Sequence, residues 1–396
     1  MIIEGIDRPE NKQKIALVAV GFNRLAGIRR LLESLAQADY GGDDVPLVIS
    51  IDCSGDEALY DYVRSFEWKH GTKYVNIQES RLGLRDHILQ CGDLSRYFKA
   101  ITLFEDDIWA SPAFYTYITQ AVARFGDDEH ICQIALYRNE WLGSNGFYFE
   151  PLHDGTDGFL WTDICTWGEC WTSAMWSSFR EWLEAHGEAY VDQTDIPDYV
   201  KQWKKAWSKL FIAYAADTRK YALFPYESLT TNFNDAGGEH SGGNNSFQAS
   251  VAVGPRSYRF APSGKMVSYD VYANNEMLFD WLPESFHGQV CLDLYGIRSD
   301  YQGKRYVLSL RNLPNKTVEE WGLKMRPVEL NILYQVPGEG IRLYDTTQPA
   351  RRRAGRFNAY TEPTGSYYLR DFNPYLALRF AIRRIKETVR RRLGRR

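Results

Sequence analysis

The stretch AITLFEDDIWASPAFYTYI, residues 100–118, decides how this 396-residue chain is read. Ala100 to Phe104 is an apolar run of strand length, and it stops abruptly at three adjacent carboxylates, Glu105, Asp106 and Asp107. Ser111 and Pro112 then supply an N-cap and a first-turn proline for a helix carrying Phe114, Tyr117, Ile118 and Val122. Three neighbouring acids at the end of a buried strand repel one another, so the position is costly unless positive charge meets it. A divalent cation is the usual answer. Mg²⁺ or Mn²⁺ held by one or two carboxylates completes its shell with water and substrate phosphates, which points to a nucleoside diphosphate. The plain alternative is a set of exposed acids opening a loop.

Outward from this stretch, apolar runs alternate with helical patterns. Ile15 to Val20 reads as a strand, and Leu25, Ile28, Leu31, Leu32 and Leu35 mark one face of a helix. Val45 to Ile51 is a second strand ending at Asp52, Tyr74 to Gln78 a third, and a helix runs from about Leu84 to Phe98. This alternation predicts an α/β fold with a mostly parallel sheet flanked by helices. Ligands of such sheets bind beyond the carboxyl ends of the strands, where Asn23, Asp52 and the acidic triplet all fall.

Farther along, seven of the twelve tryptophans lie between Trp161 and Trp207, in a stretch read as helical through Trp167, Trp171, Trp176 and Trp182 and as mostly core. GGEHSGGNN at 237–245 suits neither a packed helix nor a strand and predicts a mobile loop. After Arg256 the texture turns to strands, at Val290 to Leu294, Arg305 to Leu310, Val328 to Val336 and Ile341 to Tyr344. The expected division is a nucleotide-binding unit over 1–255, a smaller β-rich region over 256–346, a linker over 347–373 and a basic amphipathic helix over 374–396.

The composition, 44% hydrophobic and 25% charged, excludes bulk disorder and a fibre, and the length suits two packed units or one enlarged domain. No run approaches the roughly 20 apolar residues of a spanning helix, and Met1 to Lys14 is polar. The chain is therefore expected to carry neither signal peptide nor span and to work in the cytoplasm. Six cysteines outside any CxxC spacing fit reduced packing thiols, Cys165 and Cys170 included, and the Asn315 sequon then has no role.

Net charge is −4, yet residues 379–396 hold nine basic side chains against Glu387, a local +8, which leaves −12 for everything before them. Leu378, Ile382, Ile385, Val389 and Leu393 recur at helical spacing among these arginines. The acidic body argues against nucleic acid. The tail fits the anionic inner face of a membrane, with a solvated tail as the alternative.

FEDDIWASPAFYTYI at 104–118 resembles the metal-binding strand end of GT-A-fold glycosyltransferases, in particular the N-acetylglucosaminyltransferase I type. Other segments follow in the same order. VAVGFNR at 18–24 resembles the nucleotide-loop start, VISIDCSGDE at 48–57 the second strand with its uracil-contacting Asp, and GLRDHIL at 83–89 the helix whose His lies near the base. PYESLTTNFNDAGGEHSGGNN at 225–245 resembles the segment that folds over the donor. The resemblance covers about 15–245 and implies a GT-A, Rossmann-like domain that uses Mn²⁺ or Mg²⁺ and a nucleotide sugar, a UDP-sugar first. It implies that Asp107 ligates the metal, that Glu105 and Asp106 touch sugar or ribose, that Asp52 and His87 flank the base near Asn23, and that Gly237 and Gly238 close on the donor. His240 is added as a candidate for the metal or pyrophosphate.

One departure bears on mechanism. The family's catalytic Asp lies between two tryptophans, and the matching Trp203-Lys204-Lys205-Ala206-Trp207 holds no acid. An inverting transfer needs a carboxylate to accept the acceptor's proton. CTWGECWTSAMW at 165–176 resembles a tryptophan-rich acceptor-side motif of bacterial polysaccharide transferases, which makes Glu169, at the expected start of a helix, the first candidate base and Asp163 the second. The expected activity is hexosyl or N-acetylhexosaminyl transfer to a hydroxyl of a bacterial glycan or lipid-linked acceptor. A glycan-binding protein on a transferase fold and a sugar-phosphate nucleotidyltransferase are the alternatives. The second lacks its phosphate loop, because GFNR is poor in glycine and lysine.

Overall fold

A computed structural model describes residues 3–235, 247–350 and 373–393. It divides into two compact units, residues 1–284 with 297–300, and 285–296 with 301–396.

The first unit opens with β1 (Ile15–Gly21), α1 (Leu25–Ala36), β2 (Leu47–Ile51), α2 (Glu57–Ser65), β3 (Lys73–Ile77) and α3 (Leu84–Gly92). Next come β4 (Ala100–Glu105), β5 (Ile108–Ala110), α4 (Phe114–Phe125), β6 (Ile131–Ala135), β7 (Gly158–Trp161) and β8 (Glu169–Thr172). The unit ends with α5 (Ser173–His186), α6 (Asp198–Lys201), α7 (Trp207–Thr218), β9 (Tyr221–Pro225), β10 (Thr230–Asn232), β11 (Ser268–Tyr269) and α8 (Leu278–Trp281). One nine-stranded sheet runs β11-β7-β9-β6-β8-β4-β1-β2-β3. Strands β3, β2, β1, β4, β6 and β9 share one direction, and β8 and β7 run against them, so the sheet is mostly parallel with antiparallel insertions. The fully buried runs of β1, β2 and β6 are what a sheet covered on both faces demands.

Several expectations change in detail. The predicted cap at Ser111 is not formed: α4 starts at Phe114, and the Ser111 hydroxyl instead accepts the Ala113 N–H at 3.0 Å and donates to the Ala252 carbonyl. The tryptophan-rich stretch is not one helix. Glu169–Thr172 is a fully buried strand, and the helix begins only at Ser173, where the Thr172 hydroxyl accepts the Met175 N–H. Trp171, on that strand, packs against Trp176 and Phe211 with ring centroids 4.7 and 5.9 Å away, the core role expected of these side chains. The expected change of texture at 256 falls inside the first unit: Tyr258 and Phe260 pack on Tyr117 and Phe125, and β11 pairs with β7.

The second unit holds β12 (Val290–Leu292), β13 (Tyr306–Ser309), β14 (Asn315–Trp321), α9 (Leu330–Leu333), β15 (Ile341–Pro349) and α10 (Pro374–Leu393). Its sheet runs β12-β13-β15-β14 over a small core of Cys291, Val307, Leu313 and Tyr344. Val328 to Val336, read as a strand, contains α9 instead. There the buried Asn331 side chain accepts the Lys324 and Met325 N–H groups and donates to the Met325 and Val328 carbonyls, which folds the segment into a compact turn.

Candidate active site

Sheet register gathers the chemistry at one rim. Gly21 pairs with Ile51 and Val20 with Glu105, so the carboxyl ends of β1, β2 and β4 coincide. Asn23, exposed, Asp52, buried, and the triplet at 105–107 all leave the sheet there. The β3–α3 connection brings His87, in the first turn of α3, to the same rim.

Asp52 is engaged by backbone. Its Oδ1 accepts the N–H groups of Cys53 and Leu82, and its Oδ2 that of Gly83, each at 2.9 Å. The carboxylate thereby fixes the start of α3. His87 is buried, with its Nε2 2.7 Å from the Ser50 hydroxyl. Burial pushes its imidazole down to about 4 against the pull of Asp52, so it is neutral at physiological pH. It can hydrogen-bond a ligand but carries no charge to it.

The acidic turn meets a positive partner inside the chain. Arg24 pairs with Asp106 through both carboxylate oxygens and lies 3.5 Å from Asp107 Oδ2. Burial pushes Asp106 up to about 6 while Arg24 pulls it down, and Asp107 is raised for the same reason with the same opposition. Arg24 therefore offsets part of the repulsion that the sequence assigns to a metal alone. One atom stays unsatisfied: Asp107 Oδ1 is buried without a hydrogen-bond partner among the described residues. A buried carboxylate oxygen with nothing to accept is costly, and its chemistry suits a hard cation.

The turn is held from two more directions. Strands β5 and β10 pair antiparallel, and the Phe233 N–H donates to the Asp107 carbonyl at 2.9 Å. The Arg30 guanidinium lies 3.9 Å over the Phe233 ring, forms an ion pair with Asp235 and reaches the Asp106 carbonyl at 3.4 Å. Gly27 explains how α1 comes so close, because a Cβ there would sit 2.6 Å from the Asp106 carbonyl oxygen. Arg24, Arg30 and Asp235 were not assigned from sequence. GFNR contains the first of them, but only the Val20–Glu105 register shows which acids it faces.

Glu169 is not at a helix start. It pairs with Leu103 across β8 and β4, its side chain has no exposed surface, Oε2 accepts the Gly168 N–H at 3.0 Å, and Oε1 is unpaired among the described residues. Gly168 sits at φ +99°, a conformation that glycine alone adopts freely, with the Thr230 methyl where a Cβ would go. Burial, and then the charge of Glu105, raises the Glu169 pKa well above the usual carboxyl range, where the dipole of a helix start would have lowered it. Enclosed in this way, Glu169 offers no exposed surface at which to meet an acceptor hydroxyl. Asp163 lies elsewhere. Because β7 runs antiparallel to β9, Trp161 pairs with Ala222, and the chain leaves toward the amino ends of the parallel strands. Burial pushes Asp163 up to about 6. Gly237, Gly238, His240 and the loop around them lie outside the described residues. No group of three or more His, Cys, Asp or Glu side chains is gathered as a metal cage among the described residues.

No family model and no curated protein matches the sequence. Among solved structures it is similar to TarS of S. aureus (residues 1–349, in complex with UDP-GlcNAc), with 14% identity, TM-score 0.35, and 55% of this chain and 58% of that one covered. It is similar to the mannosyltransferase PcManGT of Pyrobaculum calidifontis in complex with GDP-Man and Mn²⁺, with 14% identity, TM-score 0.36 and coverage of 61% and 62%. GalNAc-T7 with UDP, GalNAc and Mn²⁺ matches with 14% identity, TM-score 0.37 and coverage of 55% and 43%. The chain spans less than two thirds of each of these proteins.

Proposed function

We propose that this chain is a metal-dependent, inverting glycosyltransferase. It moves a hexosyl or N-acetylhexosaminyl group from a nucleoside diphosphate sugar, UDP first, to a hydroxyl of a bacterial glycan or lipid-linked acceptor. The observation that carries the reading is the unsatisfied Asp107 oxygen on an acidic turn at the carboxyl end of β4, beside the rim formed by Asn23, Asp52 and His87. Support also comes from the order of motifs along residues 15–245.

Asp107 would hold Mn²⁺ or Mg²⁺ as a protein ligand, with water and diphosphate oxygens completing the shell. When bound, the metal offsets charge developing on the leaving nucleoside diphosphate. Arg24 holds Asp106 ionised and oriented, and Arg30 fixes the turn through the Asp106 carbonyl. Neutral His87 and Asp52 shape the base side. We assign Glu169 a positioning role: opposite Leu103 and bonded to the Gly168 N–H, it anchors the turn into β8 beside the acidic end of β4. This replaces its reading as the base.

A second reading, a donor-binding protein without turnover, is favoured by the acid-free Trp203–Trp207 segment and the enclosure of Glu169. Release of UDP from UDP-sugars in the presence of Mn²⁺ separates the two. Metal-dependent release supports the transferase, and metal-dependent UDP binding without release leaves the binding protein.

A further inference from the structure

The C-terminal helix α10 has an apolar face that no other part of the described chain covers. Leu378, Ile382, Ile385 and Val389, at steps of four, three and four, are 57%, 43%, 62% and 47% exposed. Those steps put them on one stripe of a 20-residue helix. Arg379, Arg383 and Lys386 are exposed in the turns between them. Leaving four large aliphatic side chains in water is unfavourable, and nothing in the described fold explains it.

We propose that α10 docks this chain on an anionic membrane surface, lying in the interface with the stripe in the acyl region and the basic residues at the headgroups. Three observations select this occupant. The first is charge: the sequence over 374–393 has seven basic residues against Glu387, while residues 1–378 sum to −12. The sum is negative even with Arg351, Arg352, Arg353 and Arg356 included, so attraction to an anionic surface comes from the basic C-terminal part of the sequence, of which the helix carries seven basic residues. The second is the apolar stripe itself, which phosphate-backbone binding does not need and which burial in lipid rewards. The third is the short seam. Even with Leu393, next on the stripe in the sequence, five apolar residues span little more than two heptads, which is short for a coiled coil with a second copy. None of the described helices is long and apolar enough to cross the membrane, so the mode is surface binding. This inference is independent of the glycosyltransferase reading.

The test uses the full chain and co-sedimentation with vesicles of phosphatidylcholine alone or with about a quarter phosphatidylglycerol. The protein should pellet with the mixed vesicles and not with phosphatidylcholine, and raised salt should release it. The triple variant Arg379→Ala, Arg383→Ala, Lys386→Ala should weaken binding roughly a hundredfold, at about fivefold per charge. The double variant Ile382→Asp, Ile385→Asp should weaken it at least as much, because each buried isoleucine contributes on the order of tenfold. Both variants should keep the parent's unfolding midpoint in the first unit. Equal pelleting of the parent and the isoleucine variant overturns the proposal, as does equal binding to neutral vesicles. A parent dimer that the isoleucine variant converts to monomer would assign the stripe to a second copy, and binding to duplex RNA unchanged by that variant but lost in the triple variant would assign the charge to nucleic acid.

Discussion

Glu169→Gln tests the most consequential correction, because the change keeps the shape and removes only the ability to ionise. With the folded pKa raised above the unfolded one, the folded state holds one proton more than the unfolded chain between the two titrations. Stability is therefore fully present below the unfolded pKa and is lost as pH rises through the window, by about 1.4 kcal/mol per pH unit. Glutamine escapes this loss: its carbonyl can still accept the Gly168 N–H, and its amide can face Glu105. Asp106, Asp163 and Asp270, each pushed up to about 6 by burial, lose stability in the same direction, but they do so in both proteins. The difference between the two profiles isolates Glu169. Urea unfolding at about pH 5 and about pH 7, followed by tryptophan fluorescence, reports the first unit, which holds every tryptophan except Trp321. The variant should gain on the parent as pH rises, and its turnover should stay within a few-fold. Parallel pH profiles, or a loss of roughly 10²-fold or more in turnover at unchanged donor affinity, would show that Glu169 ionises in the fold and return it to the role of base.

Asp107→Ala should abolish the gain in UDP affinity that Mn²⁺ confers while leaving the unfolding midpoint in place, as read by calorimetry with and without metal; an unchanged gain would make the turn purely structural. Gly27→Ala puts a methyl 2.6 Å from the Asp106 carbonyl, so α1 or the turn must move, and UDP binding with Mn²⁺ should weaken by roughly tenfold with helix content unchanged. Normal binding would show that the turn tolerates displacement. The His87 ring should stay neutral down to about pH 5 by NMR, since its folded pKa is pushed down to about 4; a midpoint near the free-histidine value would mean the ring is hydrated rather than buried.

The parallel half of the fold was legible because its signals are local. Continuous apolar runs at Ile15, Leu47 and Ala100 and the 3.6-residue stripe of α1 need no partner to be recognised. The short strands were not. Trp109 and Thr231 pair across β5 and β10, and each makes sense only beside the other. β14 carries exposed Lys316, Glu319 and Glu320 at a sheet edge, where hydrophobic alternation fades. Ser111 looked like a cap because its type fits, yet its hydroxyl found a tertiary partner in Ala252, which sequence spacing cannot show.

The site divides along the same line, and Glu169 shows why. From sequence, an acid before SAMW reads as the start of a helix facing the site, where the dipole would lower its pKa. What decides its chemistry is the pairing of β8 with β4, which sets Glu169 opposite Leu103 and encloses it near Glu105. The same antiparallel insertion reverses the environment and so the sign of the pKa shift. Arg24 follows the same logic from the other side. One residue beyond Asn23, it looks like part of a nucleotide loop, and only the parallel register of β1 with β4 turns it onto Asp106 and Asp107. The triplet's charge is thus met twice in principle, by a fixed guanidinium at Asp106 and by whatever cation Asp107 Oδ1 accepts. Because Arg24 already satisfies Asp106, loss of a metal should leave the turn folded and cost binding alone, the separation that Asp107→Ala is designed to read.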